Sequence, residues 1–572
     1  MVELEKIGVK EPMPGVVYAP RDRLRTYVAA GELAETTLAE ALMESFRRHP
    51  DRIALYSPEG KISYRDLDDI TTKFAGALLA LGLRPLDRVM LQLTNCKEVV
   101  YALVGCFKAG LIPVCTLAPH REREIEYLGC HVDARAHIVQ GDDAKFDFVS
   151  FALQMRSKIP TLRHVISVRG QPRPGVSRLE DMIAGAATEA SQKAVQSVPR
   201  DPYQVAIFQL SGGTTNVPKV IPRMQNDYLL NATLTAKWLG YRDSDVMFMP
   251  MPMVHNACMI CFLLPTLLTG AAYSIPADMT PEAWAQALTQ APPTWLGLIR
   301  ALLPRLEAIV DRKLASIDSV RTFWCPDAAR TVREKYGRPA FAMFGMSEGM
   351  NMYTRADDPI EVLDWAVGRP ISRFDEVRLV QPGTEIEVGP GEIGEFICRG
   401  PYTLSGYYNA PERNRDAFTR DGFYRTGDLL TSQLVNGERV YAFAGRTKDV
   451  ISRGQEKINC EEVEIAVSTH AAVSGCAVVG MPDAVLGERT CVYVVLKHGH
   501  RPPTVEDLAV HMREQGMAKF KWPERVELLD TLPLTNVGKL DKAPLRERIR
   551  RQVEAEAAST NTRSDQGGRP LS

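Results

Sequence analysis

Flexible backbone, hydroxyls and a cation come together in one short stretch, Leu210-Ser211-Gly212-Gly213-Thr214-Thr215-Asn216-Val217-Pro218-Lys219. Gly212 and Gly213 let the chain approach a ligand closely, Ser211, Thr214 and Thr215 supply hydroxyl donors, and Lys219 adds a point charge. This is chemistry for polyphosphate oxygens. The spacing is not that of a Walker A loop, which needs Gly-Lys-Ser/Thr where this chain has Pro218-Lys219-Val220. A polar surface turn has the same composition, so the stretch alone leaves both readings open. Four further motifs accompany it: Phe344-Gly345-Met346-Ser347-Glu348, Tyr424-Arg425-Thr426-Gly427-Asp428, Gly445-Arg446-Thr447-Lys448-Asp449 and Pro533-Leu534-Thr535-Asn536-Val537-Gly538-Lys539. Taken singly, Asp428 fits a turn, Glu348 a helix start and Lys539 a solvated loop.

In this order and combination the five motifs resemble the adenylate-forming superfamily of acyl-CoA ligases, luciferases and adenylation domains of nonribosomal peptide synthesis. The resemblance runs from about Glu35 to about Arg550. It is strongest to the freestanding aryl-acid adenylating enzymes of siderophore and other secondary-metabolite pathways, through residues 209–213, 252–256 and 400–408. It implies ATP and Mg2+ as cofactors. Ser211, Gly212, Gly213, Thr214, Thr215 and Lys219 would embrace the triphosphate, with Phe344, Gly345 and Ser347 near the nucleotide. Glu348 would hold the metal, Asp428 the ribose hydroxyls and Arg446 the same sugar-phosphate region. Lys539 would bridge the acyl carboxylate and the α-phosphate. His255 and Asn256 would face the acid, with Cys261, Trp324, Cys325 and Met346 lining the acyl pocket and the Asn256 amide reading an ortho-hydroxyl. Lys448 and Asp449 would form a hinge whose rotation exchanges Lys539 for Gly454 and Gln455, lining the path of a thiol.

The chemistry is coherent with that set. A carboxylate is a poor electrophile, and AMP supplied by ATP makes it a good one. An anionic oxygen must reach a phosphorus ringed by negative charge, so catalysis rests on positioning and electrostatics. The expected activity is conversion of an aromatic acid of salicylate or 2,3-dihydroxybenzoate type to acyl-AMP. Transfer to a phosphopantetheine thiol of a separate aryl carrier protein follows, since no carrier domain is evident after Lys539. An aryl-CoA ligase shares every step up to the acceptor, and Lys519 and Lys521 suit either partner. A degenerate nucleotide-binding scaffold is the remaining alternative.

Three departures bear on it. Asn216 replaces a usual glycine, and Asn tolerates positive φ better than other residues. Phe323-Trp324-Cys325-Pro326 stands where relatives have a Gly-Gly-Ala-type turn, and Cys261 where dihydroxybenzoate enzymes carry Ser. Cys258 and Cys261 have CxxC spacing without a second pair, which reads as pocket lining over zinc or redox chemistry.

The elements that must position these groups alternate in the manner of layered α/β domains. Thr37-Leu38-Ala39-Glu40 is a capping box before an amphipathic helix with Leu38, Leu42 and Phe46 on one face. Val205 to Phe208 reads as a buried strand feeding the loop, and a second α/β unit is expected from Tyr203 onward. Gly383 to Gly400 reads as short strands of a β-rich subdomain. The expected division is a large adenylation domain over 1–444, a small α+β lid over 445–553 and a polar disordered tail over 554–572. The chain has 572 residues, enough for several structural units, and 69 basic against 70 acidic side chains, so no global field recruits nucleic acid or an anionic membrane. Eleven scattered cysteines and an amino terminus without an apolar core point to the cytoplasm. Val246 to Ala277 lacks any charged residue, yet Pro250, Pro252 and Pro265 argue for buried elements around a pocket instead of a membrane span.

Overall fold

The computed structural model describes residues 7–211, 218–453, 456–483, 485–515, 517–535 and 540–564. The chain forms two compact units, the first from residues up to 377 with 397–425 and 435–441, the second from 378–396, 426–434 and 442 onward. Each unit draws on more than one stretch of the chain. The strands Glu376–Val380, Gly394–Arg399, Tyr424–Val435 and Glu438–Arg446 form a four-stranded sheet in that order.

Two seven-stranded sheets build the first unit. One runs in the order 177–178, 164–168, 136–140, 88–92, 112–114, 205–211 and 219–224. All its neighbours are parallel except the last pair, an antiparallel hairpin in which Ser211 lies opposite Lys219. The other runs 340–341, 322–324, 295–297, 246–248, 272–274, 53–57 and 60–63, again parallel up to a terminal hairpin. The strand before the phosphate loop thus completes the first sheet and does not open a second unit. Val114 pairs with Phe208, and Cys115 N–H donates to the Phe208 carbonyl at 3.0 Å, which draws 205–211 onto the amino-terminal strands. The near-continuous apolar run Val205 to Phe208 is what a strand covered on both faces requires.

Helix Leu38–Arg48 starts at the expected box: Thr37 Oγ1 accepts from Glu40 N–H, and Glu40 accepts from Thr37 N–H at 2.9 Å. Leu38, Leu42 and Phe46 are buried beneath it. The uncharged stretch 246–277 folds as strand 246–248, helical segments 256–269 and strand 272–274, and no helix among the described residues is long and apolar enough to cross a membrane. In the second unit, strands 450–453, 456–459, 473–483, 487–496 and 525–528 form a sheet flanked by helices 460–468 and 505–514. Its last helix, Ala543–Ser564, continues past Val553, where a disordered tail was expected. Arg525 explains the extension by gripping Glu556 through two hydrogen bonds of 2.9 Å.

Candidate active site

Three successive carbonyls at the end of the 344–348 motif are each held by a different element of the first unit. Arg223 Nη1 donates to Ser347 O at 3.2 Å, Leu404 N–H to Glu348 O at 2.8 Å and Asn231 Nδ2 to Gly349 O at 3.2 Å. Arg223 is fully buried in strand 219–224, pairs with Asp227 one helical turn on, and also donates to Tyr402 O. Gly349 sits at φ 141°, and a Cβ there would come within 2.2 Å of Tyr402 O, so the chain needs glycine at this crossing. This backbone shelf carries Glu348, 7% exposed, whose Oε1 accepts from Tyr407 Oη at 2.7 Å. Tyr407 also shares a 2.7 Å contact with Tyr424 and receives Lys219 Nζ at 3.3 Å, with the ammonium 4.7 Å from the ring centre. Burial and the neighbouring Glu348 charge keep the Tyr407 hydroxyl protonated. Lys219 and Glu348 thus meet through one tyrosine, at the exit of the 211–219 segment. Ser211 Oγ is buried and has no partner among the described residues. Phe344 is buried, Met346 and Ser347 are half-buried and Gly345 is exposed on the same short strand and turn.

The expected acyl wall lies on the segment 252–263. Asn95 clamps its approach, donating to Met251 O and accepting from Met253 N–H, both at 2.8 Å. His255 Nδ1 accepts from Ala257 N–H and starts a helical run that widens to a π turn over Met259–Leu263. Asn256, 5% exposed, accepts from Tyr228 Oη at 2.8 Å. Cys261 lies in the π turn. Tyr353 Oη donates to its sulfur at 3.2 Å, and burial pushes the thiol up to about 12, so it stays neutral. Cys258 faces Tyr273 Oη at 3.1 Å, so the two cysteines of the CxxC have separate partners and all eleven cysteines are free. Trp324, 1% exposed, meets Phe262 edge-on at 5.7 Å and packs in the same core as Cys261 and Tyr353. Cys325, expected in this wall, packs instead with Phe323 in the core on the other side of the sheet. Strand alternation is the reason: 322–324 sends successive side chains to opposite faces.

Asp428 and Arg446 belong to the second unit and pair at 2.9 Å. Asp428 N–H donates to Thr426 Oγ1, which is itself tied to Phe396 O at 2.7 Å. Asp449 is ion-paired with Arg546 on the last helix, and the backbone of Lys448 lies in the 447–449 turn. Gly212, Gly213, Thr214, Thr215, Asn216, Gly454, Gln455 and Lys539 lie outside the described residues. Among the described residues no three His, Cys, Asp or Glu side chains cluster to hold a metal.

Residues 42–408 match the AMP-binding enzyme family, and 462–539 match the AMP-binding enzyme C-terminal domain. The chain belongs to the AMP-binding enzyme family. Enzymes of this family use ATP. Among the curated relatives, 2,3-dihydroxybenzoate-AMP ligase of Bacillus subtilis is 35% identical over 94% of this chain and 98% of its own length. A salicyl-AMP ligase / salicyl-S-ArCP synthetase of Mycobacterium tuberculosis is 37% identical over 92% of this chain and 93% of its own. A 2-hydroxy-7-methoxy-5-methyl-1-naphthoate–CoA ligase of Streptomyces carzinostaticus is 36% identical over 95% and 99%.

Within this AMP-binding enzyme, sequence motifs did not single out Arg223, Tyr228, Asn231 or Tyr407. Arg223 carries the one readable signal, a charge inside the apolar strand Val220-Ile221-Pro222-Arg223, which a buried partner has to explain. The other three become visible only through their contacts.

Proposed function

We propose that the protein is an ATP-dependent, AMP-forming ligase that activates an aromatic acid with an ortho-hydroxyl group, of salicylate or 2,3-dihydroxybenzoate type. The acyl group then passes to a phosphopantetheine thiol on a separate carrier protein. The grouping of Lys219, Tyr407 and Glu348 at the exit of the glycine-rich loop carries the adenylation reading. The carboxylate oxygen of the acid bonds to the α-phosphorus of ATP while the bond to pyrophosphate breaks, and no proton need move. Ser211, Gly212, Gly213, Thr214, Thr215 and Lys219 hold phosphates, Phe344, Gly345 and Ser347 border the nucleotide, and Asp428 with Arg446 holds its sugar. Lys539 stabilises charge between acid and α-phosphate, and the hinge at Lys448-Asp449 later brings Gly454 and Gln455 to the thiol path. The domain reading is an adenylation domain followed by a small carboxyl-terminal lid.

Glu348 suits Mg2+. It is a hard oxygen donor, buried and held by Tyr407, which suits a cation shared between one carboxylate and substrate phosphates. When bound, the ion neutralises phosphate charge. Tyr407 orients the carboxylate through Oε1, and Lys219 adds a positive charge beside it.

The aryl preference rests on the relatives and on Asn256, an amide bonded to Tyr228 beside the core that holds Met259. His255 and Met346 join it at the acid, and Cys261 with Trp324 closes the far side. The naphthoate–CoA ligase among the relatives favours a second reading in which the acceptor is CoA. Eleven free cysteines favour the cytoplasm. The test is substrate-dependent exchange of labelled pyrophosphate into ATP with benzoate, salicylate, 2,3-dihydroxybenzoate, a hydroxynaphthoate and a fatty acid. Ortho-hydroxy acids should exchange fastest, and exchange confined to benzoate or the fatty acid would discard the aryl-acid pocket. Supplying a carrier protein or CoA to preformed acyl-AMP then separates the two acceptors.

A further inference from the structure

Met259, Gln209, Tyr228 and Asn256 form a buried hydrogen-bond chain that has a direction. Gln209 Nε2 lies 3.6 Å from Met259 Sδ and 2.9 Å from Tyr228 Oη. A thioether accepts and never donates, so Met259 fixes which end of the Gln209 amide faces this corner. Having accepted from Gln209, the Tyr228 hydroxyl turns its own hydrogen onto Asn256 Oδ1 at 2.8 Å. Burial raises the pKa of that hydroxyl far above neutrality, so it remains a donor. The Asn256 oxygen is thereby engaged, and its Nδ2 has no partner among the described residues. Flipping the Asn256 amide would either leave the buried Tyr228 hydrogen without an acceptor or, with Tyr228 reversed onto Gln209, set the Gln209 oxygen against the Met259 sulfur, two acceptors in contact.

We infer that this chain makes Asn256 present N–H, and not C=O, to the ortho position of the ring, so that the enzyme selects ortho-hydroxy acids over their ortho-amino counterparts. The inference rests on the placement of the acid beside Asn256 given above. A phenol oxygen accepts from Nδ2 even while its hydrogen is turned to the adjacent carboxylate. The lone pair of an aromatic amine is delocalised into the ring, and its N–H groups would meet the N–H of Asn256. The site is then left with an unpaired buried donor, the situation in which polar sites discriminate most strongly. Gln209, Tyr228 and Met259 are positioning residues in this account, each acting through Asn256.

The experiment compares kcat/KM for salicylate and 2-aminobenzoate by pyrophosphate exchange in the full-length protein and in Tyr228→Phe and Gln209→Leu. The wild type should favour salicylate by at least about tenfold, the scale of one unpaired buried donor. Tyr228→Phe frees the amide to rotate and should lower that ratio at least about fivefold, through opposite movements of the two KM values. Gln209→Leu should lower it in the same direction. General damage to the fold slows both acids and leaves the ratio intact, so the ratio reports the relay itself. Equal use of the two acids by the wild type, or a ratio preserved in both variants, overturns the inference. If the wild type exchanges with a fatty acid and with neither aromatic acid, the aryl-acid reading falls first and takes the relay with it. Should Tyr228→Phe not fold, Gln209→Leu decides the matter alone.

Discussion

Around Glu348 the backbone is held by polar groups, whereas around Cys261 the side chains are held by packing. The first region spends a buried arginine, an asparagine and a backbone amide on three carbonyls in a row. The second fills its space with Phe262, Trp324 and Tyr353, and its polar atoms are neutral. Under the proposed function, the difference follows from what each must tolerate. A carboxylate that is to meet phosphate charge has to be fixed to within a fraction of an ångström, and directional hydrogen bonds do that. A wall against an aromatic ring needs shape, which close-packed side chains provide and single substitutions can alter.

The comparison breaks most visibly at Glu348. Glu348→Gln keeps the hydrogen bond from Tyr407 and removes the charge, so pyrophosphate exchange should fall by about a hundredfold or more while the unfolding midpoint stays close to wild type. A loss of less than about threefold would take Glu348 out of the site. Arg223→Met should cost about 3 to 5 kcal/mol in denaturant unfolding, because Asp227 is left buried without its partner and two carbonyls lose their donor. Arg223→Lys, lacking the planar fork, should restore little of it. Trp324→Ala should cost about 3 kcal/mol through the space it leaves against Phe262. Unlike the changes on the polar shelf, it should also raise exchange with a hydroxynaphthoate relative to salicylate, and an unchanged ratio would show that Trp324 does not border the acid.

A separate effect concerns pH. Asp375, half-buried, accepts from Tyr402 Oη at 2.5 Å, and its buried Oδ1 has no partner among the described residues. Desolvation raises its pKa to about 8, against the lowering influence of the Tyr402 hydroxyl and the Ser372 amide. The folded protein therefore keeps a proton that the unfolded chain loses near pH 4. Stability from this group is complete below that point and declines as pH rises toward 8, by at most about 1.4 kcal/mol per pH unit. Asp375→Asn should flatten that decline in unfolding curves measured from pH 5 to 8, and an identical slope in the variant would assign the pH dependence to other groups.

Much of the molecule was legible in advance. Thr37 announced its helix, the apolar run at 205–208 its strand, and the five motifs the family, because each is a local pattern with a local cause. The sheet to which 205–211 belongs was misread, since the choice of neighbouring strand is made by pairing across ninety-four residues, from Val114 to Phe208 (208 − 114 = 94). Cys325 was misassigned for a smaller reason, one step of strand alternation. The helix past Val553 depends on Arg525 reaching Glu556, a contact that composition does not reveal.

By itself, then, the sequence determined the layered α/β class and the membership of the AMP-binding enzyme family, because local patterns and the order of the motifs suffice for these. Tertiary structure alone decided that Lys219 and Glu348 meet through Tyr407, that Arg223 pins the shelf, and that Met259 sets the direction of the chain ending at Asn256. Hydrogen bonds between residues far apart in the chain have no periodic signature, and their direction depends on which partner can only accept.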